Sequence, residues 1–127
     1  MTSKGPSQRQ LRVGEEVRHI LAETLAHNQS GDALLDSFPI TVTEVQISPD
    51  FQHANVYVMP LGGQHLPEIL SALKEKAWYF RKEVAHALKI RVTPRLVFHA
   101  DTSFDEAERI ENLLKAVKVK QETEKKD

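Results

Sequence analysis

The sequence predicts an α+β domain with helices packed on a small three-stranded sheet. Two observations carry this: two long stretches place apolar residues at three-and-four spacing, and three short runs read as strands, the first dense in β-branched residues, the second alternating apolar with polar, the third apolar after a proline. Their order is helix, strand, strand, helix, strand, and a short last helix follows. With 127 residues the chain has room for one domain, set here at residues 1–118, ahead of a charged tail at 119–127 expected to be disordered.

The first helix is expected from about Ser7 to His27, where Val13, Val17, Ile20, Leu21, Thr24 and Leu25 share one face. The cluster Gln29-Ser30-Gly31-Asp32 ends it, and Pro39 prevents continuation. From Ile40 to Ile47 the residues favour a strand, but the apolar phase shifts from Ile40/Val42 to Val45/Ile47, which predicts a bulge near Thr43 and Glu44. Ser48-Pro49-Asp50 reads as a turn, and beyond it Ala54, Val56 and Val58 alternate with Asn55, Tyr57 and Met59 as in a half-buried strand. Two strands so closely joined predict an antiparallel hairpin. After Pro60-Leu61-Gly62-Gly63 a long helix is expected over 66–88, its stripe formed by Leu66, Ile69, Leu70, Leu73, Ala77, Phe80, Val84 and Leu88. Past Pro94, Leu96-Val97-Phe98 is the third strand, reached by a helical crossover. Ser103-Phe104-Asp105-Glu106 is a capping box before Ile110, Leu113, Leu114 and Val117.

Composition excludes several function classes. Zero cysteines rule out disulfides, thiolate metal sites and cysteine nucleophiles, and no apolar run approaches the roughly 18 residues of a membrane span. The polar start shows no secretory signal, so a soluble cytoplasmic protein without membrane contact is expected. Six histidines, at 19, 27, 53, 65, 86 and 99, make no pair at metal-ligand spacing, and nucleophile elbows, Walker loops and dinucleotide fingerprints are missing. No cofactor, no metal and no catalysis are expected. The acids Asp101, Asp105, Glu106 and Glu108 are read as favouring the dipole at a helix start rather than as an acid/base pair.

The net charge of −1 conceals an uneven distribution. Residues 31–73 hold five acids and no lysine or arginine, whereas residues 74–95 hold seven bases against two acids. Any anion-binding surface must therefore centre on 74–95. Projected at 100° per residue, Lys74, Trp78, Arg81, Lys82, Ala85 and Lys89 share one flank of the long helix. Arg91 and Arg95 continue the charge past the helix end, and Arg9 and Arg12 extend it if the first helix lies alongside. Lysine and arginine supply phosphate contacts, and an indole stacks on an unpaired base. The bland alternative, weighed equally, is that Trp78 packs under a neighbouring element while lysine stems run around it.

At this point an ordered set of short motifs resembles the ribosome-binding factor A family over about residues 9–118. It consists of Arg12-Val13-Gly14-Glu15-Glu16-Val17-Arg18, Val45-Gln46-Ile47-Ser48-Pro49-Asp50, His53-Ala54-Asn55-Val56-Tyr57-Val58, Phe80-Arg81, Leu88-Lys89-Ile90-Arg91, Pro94-Arg95-Leu96-Val97-Phe98, Asp101-Thr102-Ser103 and Arg109-Ile110. The run at 101–107 is similar to the alphaproteobacterial branch. The resemblance implies a type II KH-like fold without the GxxG nucleic-acid loop, which this sequence also lacks. It implies binding to the small (30S) ribosomal subunit and its 16S rRNA during late maturation and rRNA processing, without catalysis; the free protein is expected to be a monomer. Family members interrupt the second long helix at an Ala-x-Gly step, which falls on Ala77-Trp78-Tyr79. Tyr79 stands at the glycine position, which leaves open whether the helix bends there; the flank projection assumes that it does not.

The residues expected to face rRNA are Lys74, Trp78, Arg81, Lys82, Lys89, Arg91 and Arg95, with Arg9 and Arg12. The competing readings are a protein-interaction module that docks a partner on the Trp78 flank and an enzyme using the acids near 101–108.

Overall fold

The computed structural model describes residues 5–103, 111 and 113–116. Helix α1 spans Gln8–Ala26. Ser7 caps it: the Ser7 hydroxyl accepts from the Gln10 N–H at 3.1 Å, and the Gln10 side chain accepts from the Ser7 N–H at 2.8 Å. The same Gln10 amide donates to the Ile47 carbonyl at 2.9 Å, tying the start of α1 to the sheet. The inner face buries Gly14, Val17, Leu21, Thr24 and Leu25.

Helix α2, Ala33–Ser37, has no counterpart in the sequence reading, which assigns no element between the cluster at 29–32 and Pro39. Asp32 caps it by accepting from the Leu34 and Leu35 N–H groups at 3.0 and 3.1 Å. Its burial of Leu35 closes one end of the core.

Strands β1 (Ile40–Ile47) and β2 (His53–Pro60) form the expected antiparallel hairpin, and the register shifts between Val42 and Glu44, where the phase shift placed the bulge. Strand β3, Arg95–Ala100, pairs in parallel with β2, giving the order β1-β2-β3 with β2 central. Ala54, Val56 and Val58 on β2, Val42 and Ile47 on β1, and Leu96 and Phe98 on β3 are buried. Their partners in alternation, including Asn55, Tyr57 and His99, point to the other side of the sheet. There His99 Nε2 lies 2.9 Å from the Asn55 side-chain oxygen, and the Tyr57 and His99 rings stack at 5.1 Å.

The long helix expected over 66–88 is two helices, α3 (Leu66–Glu75) and α4 (Ala77–Leu88), after a 3-10 turn at Leu61–Gly63. Lys76 joins them with φ −96° and ψ 12°. A negative φ with ψ near zero is open to any residue, so the break needs no glycine. Ile69 and Leu73 before it, and Phe80 and Val84 after it, are fully buried.

Residues 111 and 113–116 are helical, with Leu113 and Leu114 exposed. Most of the expected last helix, including Phe104, Asp105, Glu106, Ile110 and Val117, and the tail at 119–127 lie outside the described residues.

Candidate nucleic-acid interface

The α4 surface divides by charge. On one side Tyr79 is half-buried beside Glu83 and Asp36, and burial, followed by those two carboxylates, pushes its hydroxyl above the ordinary tyrosine range. On the other side Trp78, Arg81, Lys82 and Ala85 form one wall of an open groove of about 490 Å³, and Arg91, Val92 and Thr93 of the α4–β3 loop form the opposite wall. No acidic residue lines it. The Arg81 guanidinium donates to the Thr93 carbonyl at 2.9 Å, so this arginine also staples the loop to the helix.

Trp78 does not pack under a neighbour. The residue is 62% exposed, with the Tyr79 ring edge-on at 6.1 Å and the Lys76 ammonium 5.8 Å from its ring centroid. Exposing an indole forgoes roughly 2 kcal/mol of apolar burial, an arrangement that suits a surface covered by a partner.

The remaining sequence candidates separate. Helix α1 packs against α4, as the extension through the first helix required. Arg9 reaches a second cavity, which it lines together with Arg91, while exposed Arg12 lines neither. Lys74 is exposed on α3, ahead of the break, and does not line the groove. Lys89 is the residue after α4, in the left-handed conformation with φ 55°, and its N–H donates to the Ala85 carbonyl. Arg95 is in register with His53 on the sheet side that faces away from Leu96 and Phe98, hence away from the helices.

Sequence reasoning missed the loop wall, Val92 and Thr93, and also Phe51. The hairpin turn carries Phe51 at φ 59°. Its N–H donates to the Ser48 carbonyl at 2.9 Å, and its ring takes the Arg9 guanidinium at 4.8 Å. A large side chain in a turn gives no periodic signal. Among the described residues no group of three or more His, Asp or Glu is placed to hold a metal ion, and no helix is long and apolar enough to cross a membrane.

Residues 9–114, which carry both cavities, match the family model described as ribosome-binding factor A. The chain belongs to the ribosome-binding factor A family. It is 46% identical over 119 residues to ribosome-binding factor A of Phenylobacterium zucineum, covering 94% of this chain and 82% of that one. The solution structure of a Thermotoga maritima protein assigned as a ribosome binding factor A superposes with a TM-score of 0.64 at 27% identity, covering 80% of this chain and 94% of that one. A Thermus thermophilus ribosome binding factor A homology model, fitted into the cryo-EM map of a 30S complex, matches with a TM-score of 0.60 at 22% identity, covering 73% of this chain and 96% of that one. The fold is thus the KH-like fold of ribosome-binding factor A. In this member the break between its two central helices falls at Lys76, immediately before the Ala77-Trp78-Tyr79 step.

Proposed function

We propose that this protein binds the small (30S) ribosomal subunit through 16S rRNA during late maturation and rRNA processing, stoichiometrically and without catalysis. The observation that carries this is the α4 groove, which gathers Trp78, Arg81, Lys82 and Arg91 with no acid between them. Cations along a groove follow a phosphate backbone, and an exposed indole offers a stacking surface to a base that has left its helix. The homologue from Thermus thermophilus was fitted into a 30S complex, which supports the same partner here. Arg9, Arg12, Lys74, Lys89 and Arg95 do not line the groove and supply long-range attraction rather than groove contacts.

Co-sedimentation with mature and immature small subunits across a salt series tests this. Binding is expected to fall steeply with salt and to favour one of the two subunits. Lys82→Glu with Arg91→Glu, which leaves the Arg81–Thr93 hydrogen bond intact, should weaken it and lower the salt slope by about 2. Unchanged binding by the folded double variant would remove the groove from the interface.

A second reading, docking of a partner protein, is favoured by the apolar content of this face. Trp78 is 62%, Val92 53% and Ile90 38% exposed. Ribonuclease treatment of the captured complex separates the two, since only a protein-mediated contact survives it.

A further inference from the structure

Beside the α4 groove lies a more enclosed cavity of about 340 Å³, within the size range of small-ligand sites. Its walls are apolar, from Val13 on α1 and from Ile90, Val92 and Pro94 in the α4–β3 loop, and Phe51 closes one side. Two guanidinium groups, Arg9 and Arg91, stand at it. We propose that this cavity takes one unpaired nucleotide of the bound RNA, its base against the Phe51–Arg9 pair and its phosphate between Arg9 and Arg91. The proposal rests on the RNA-binding reading of the α4 groove and deepens it, because it requires a single-stranded stretch.

Three features favour this occupant. First, the Arg9 guanidinium already lies 4.8 Å from the centroid of the Phe51 ring, so half of a stack is preformed, and both aromatic rings and guanidinium planes stack on splayed bases. Second, Arg91 and Val92 line both cavities, so the two adjoin and a strand held along α4 arrives beside this one. Third, Phe51 holds φ 59°, where a bulky residue is strained relative to glycine or asparagine. The turn would close with less strain around a glycine; the ring is held there in spite of the backbone. Asp50 also lines the cavity, but its carboxylate accepts from the Ser48 hydroxyl at 2.7 Å and the Gln52 N–H at 3.0 Å, which fixes the turn. Its charge sets the phosphate on the arginine side.

The test is fluorescence anisotropy with a short labelled oligoadenylate and an RNA duplex as probes, using the full chain. The wild type should prefer the single strand. Phe51→Leu should weaken oligoadenylate binding about tenfold while changing duplex binding by no more than about twofold, the loss of one base–aromatic stack. Arg9→Gln, at an exposed position, should do the same and carries the test if leucine at 51 unfolds the turn. Trp78→Ala with Lys82→Glu, neither of which lines the cavity, should weaken both probes. Oligoadenylate binding by Phe51→Leu and Arg9→Gln equal to wild type, with the Trp78/Lys82 variant weakened, overturns the nucleotide pocket and spares the groove. No affinity of the wild type for either probe at low salt overturns both.

Discussion

A Cβ added at Gly14 would lie 2.6 Å from the Val45 carbonyl oxygen, because α1 and β1 approach at that point until only a hydrogen fits between them. Alanine gains about 1 kcal/mol over glycine in a helix, yet the clash is with backbone that cannot swing aside. Gly14→Ala should therefore lower stability, by about 1–3 kcal/mol, read as a fall in the denaturant midpoint. Asp36 shows a different economy. Burial raises its carboxyl, but hydrogen bonds from the Ser30 hydroxyl, the Ser30 N–H and the Gly31 N–H, with the charge of Lys76, outweigh burial and hold it below the ordinary range. A depressed carboxyl stabilises the fold above its unfolded pKa and loses that contribution as pH falls through the folded one. Asp36→Asn should therefore cost stability near neutral pH, by about 1 kcal/mol, and the two unfolding midpoints should converge as pH falls below the ordinary carboxylate range. At this scale the sequence marked Trp78, Arg81, Lys82 and Arg91 through charge and spacing alone. Phe51 left no mark, since its importance comes from the turn that aims it.

Elements were legible in proportion to how many residues repeat their signal. Helix α1 has five turns of spacing to show, and the β1 bulge appears because one extra residue inverts the apolar phase on either side of it. Helix α2 is only five residues long, too short for a period, and its cap Asp32 sits in a cluster that also reads as a turn. The break at Lys76 is hidden for the opposite reason: Ile69 and Leu73 on α3 and Phe80 and Val84 on α4 keep one helical spacing across it, so the stripe runs on while the backbone does not. Since Lys76 has a negative φ, the break does not depend on glycine at 79. Tyr79→Gly should thus cost about 1 kcal/mol or more through lost helix propensity and packing on Phe80, while backbone chemical shifts at residues 75–77 keep the same break.

Across the whole molecule, position in the fold decides which charges act together. Arg95 adjoins the basic segment in sequence, but strand alternation sends it to the opposite side of the sheet from Leu96 and Phe98. Arg95→Glu should therefore change subunit binding by less than about threefold where Lys82→Glu changes it by about tenfold, measured at one salt concentration. The parity argument was available in the sequence; the convergence of the 91–93 loop on α4 was not, because it depends on where β3 enters the sheet. That entry also orders events in time. Strands β1 and β2 meet across a short turn, whereas β3 must return to β2 after all of α3 and α4 has been made. Distant pairings pay loop-closure entropy first and form slowly. On the ribosome that synthesises it, the chain exposes one bare edge of its central strand until residues 95–100 emerge, and the walls of both cavities assemble only when that last strand docks.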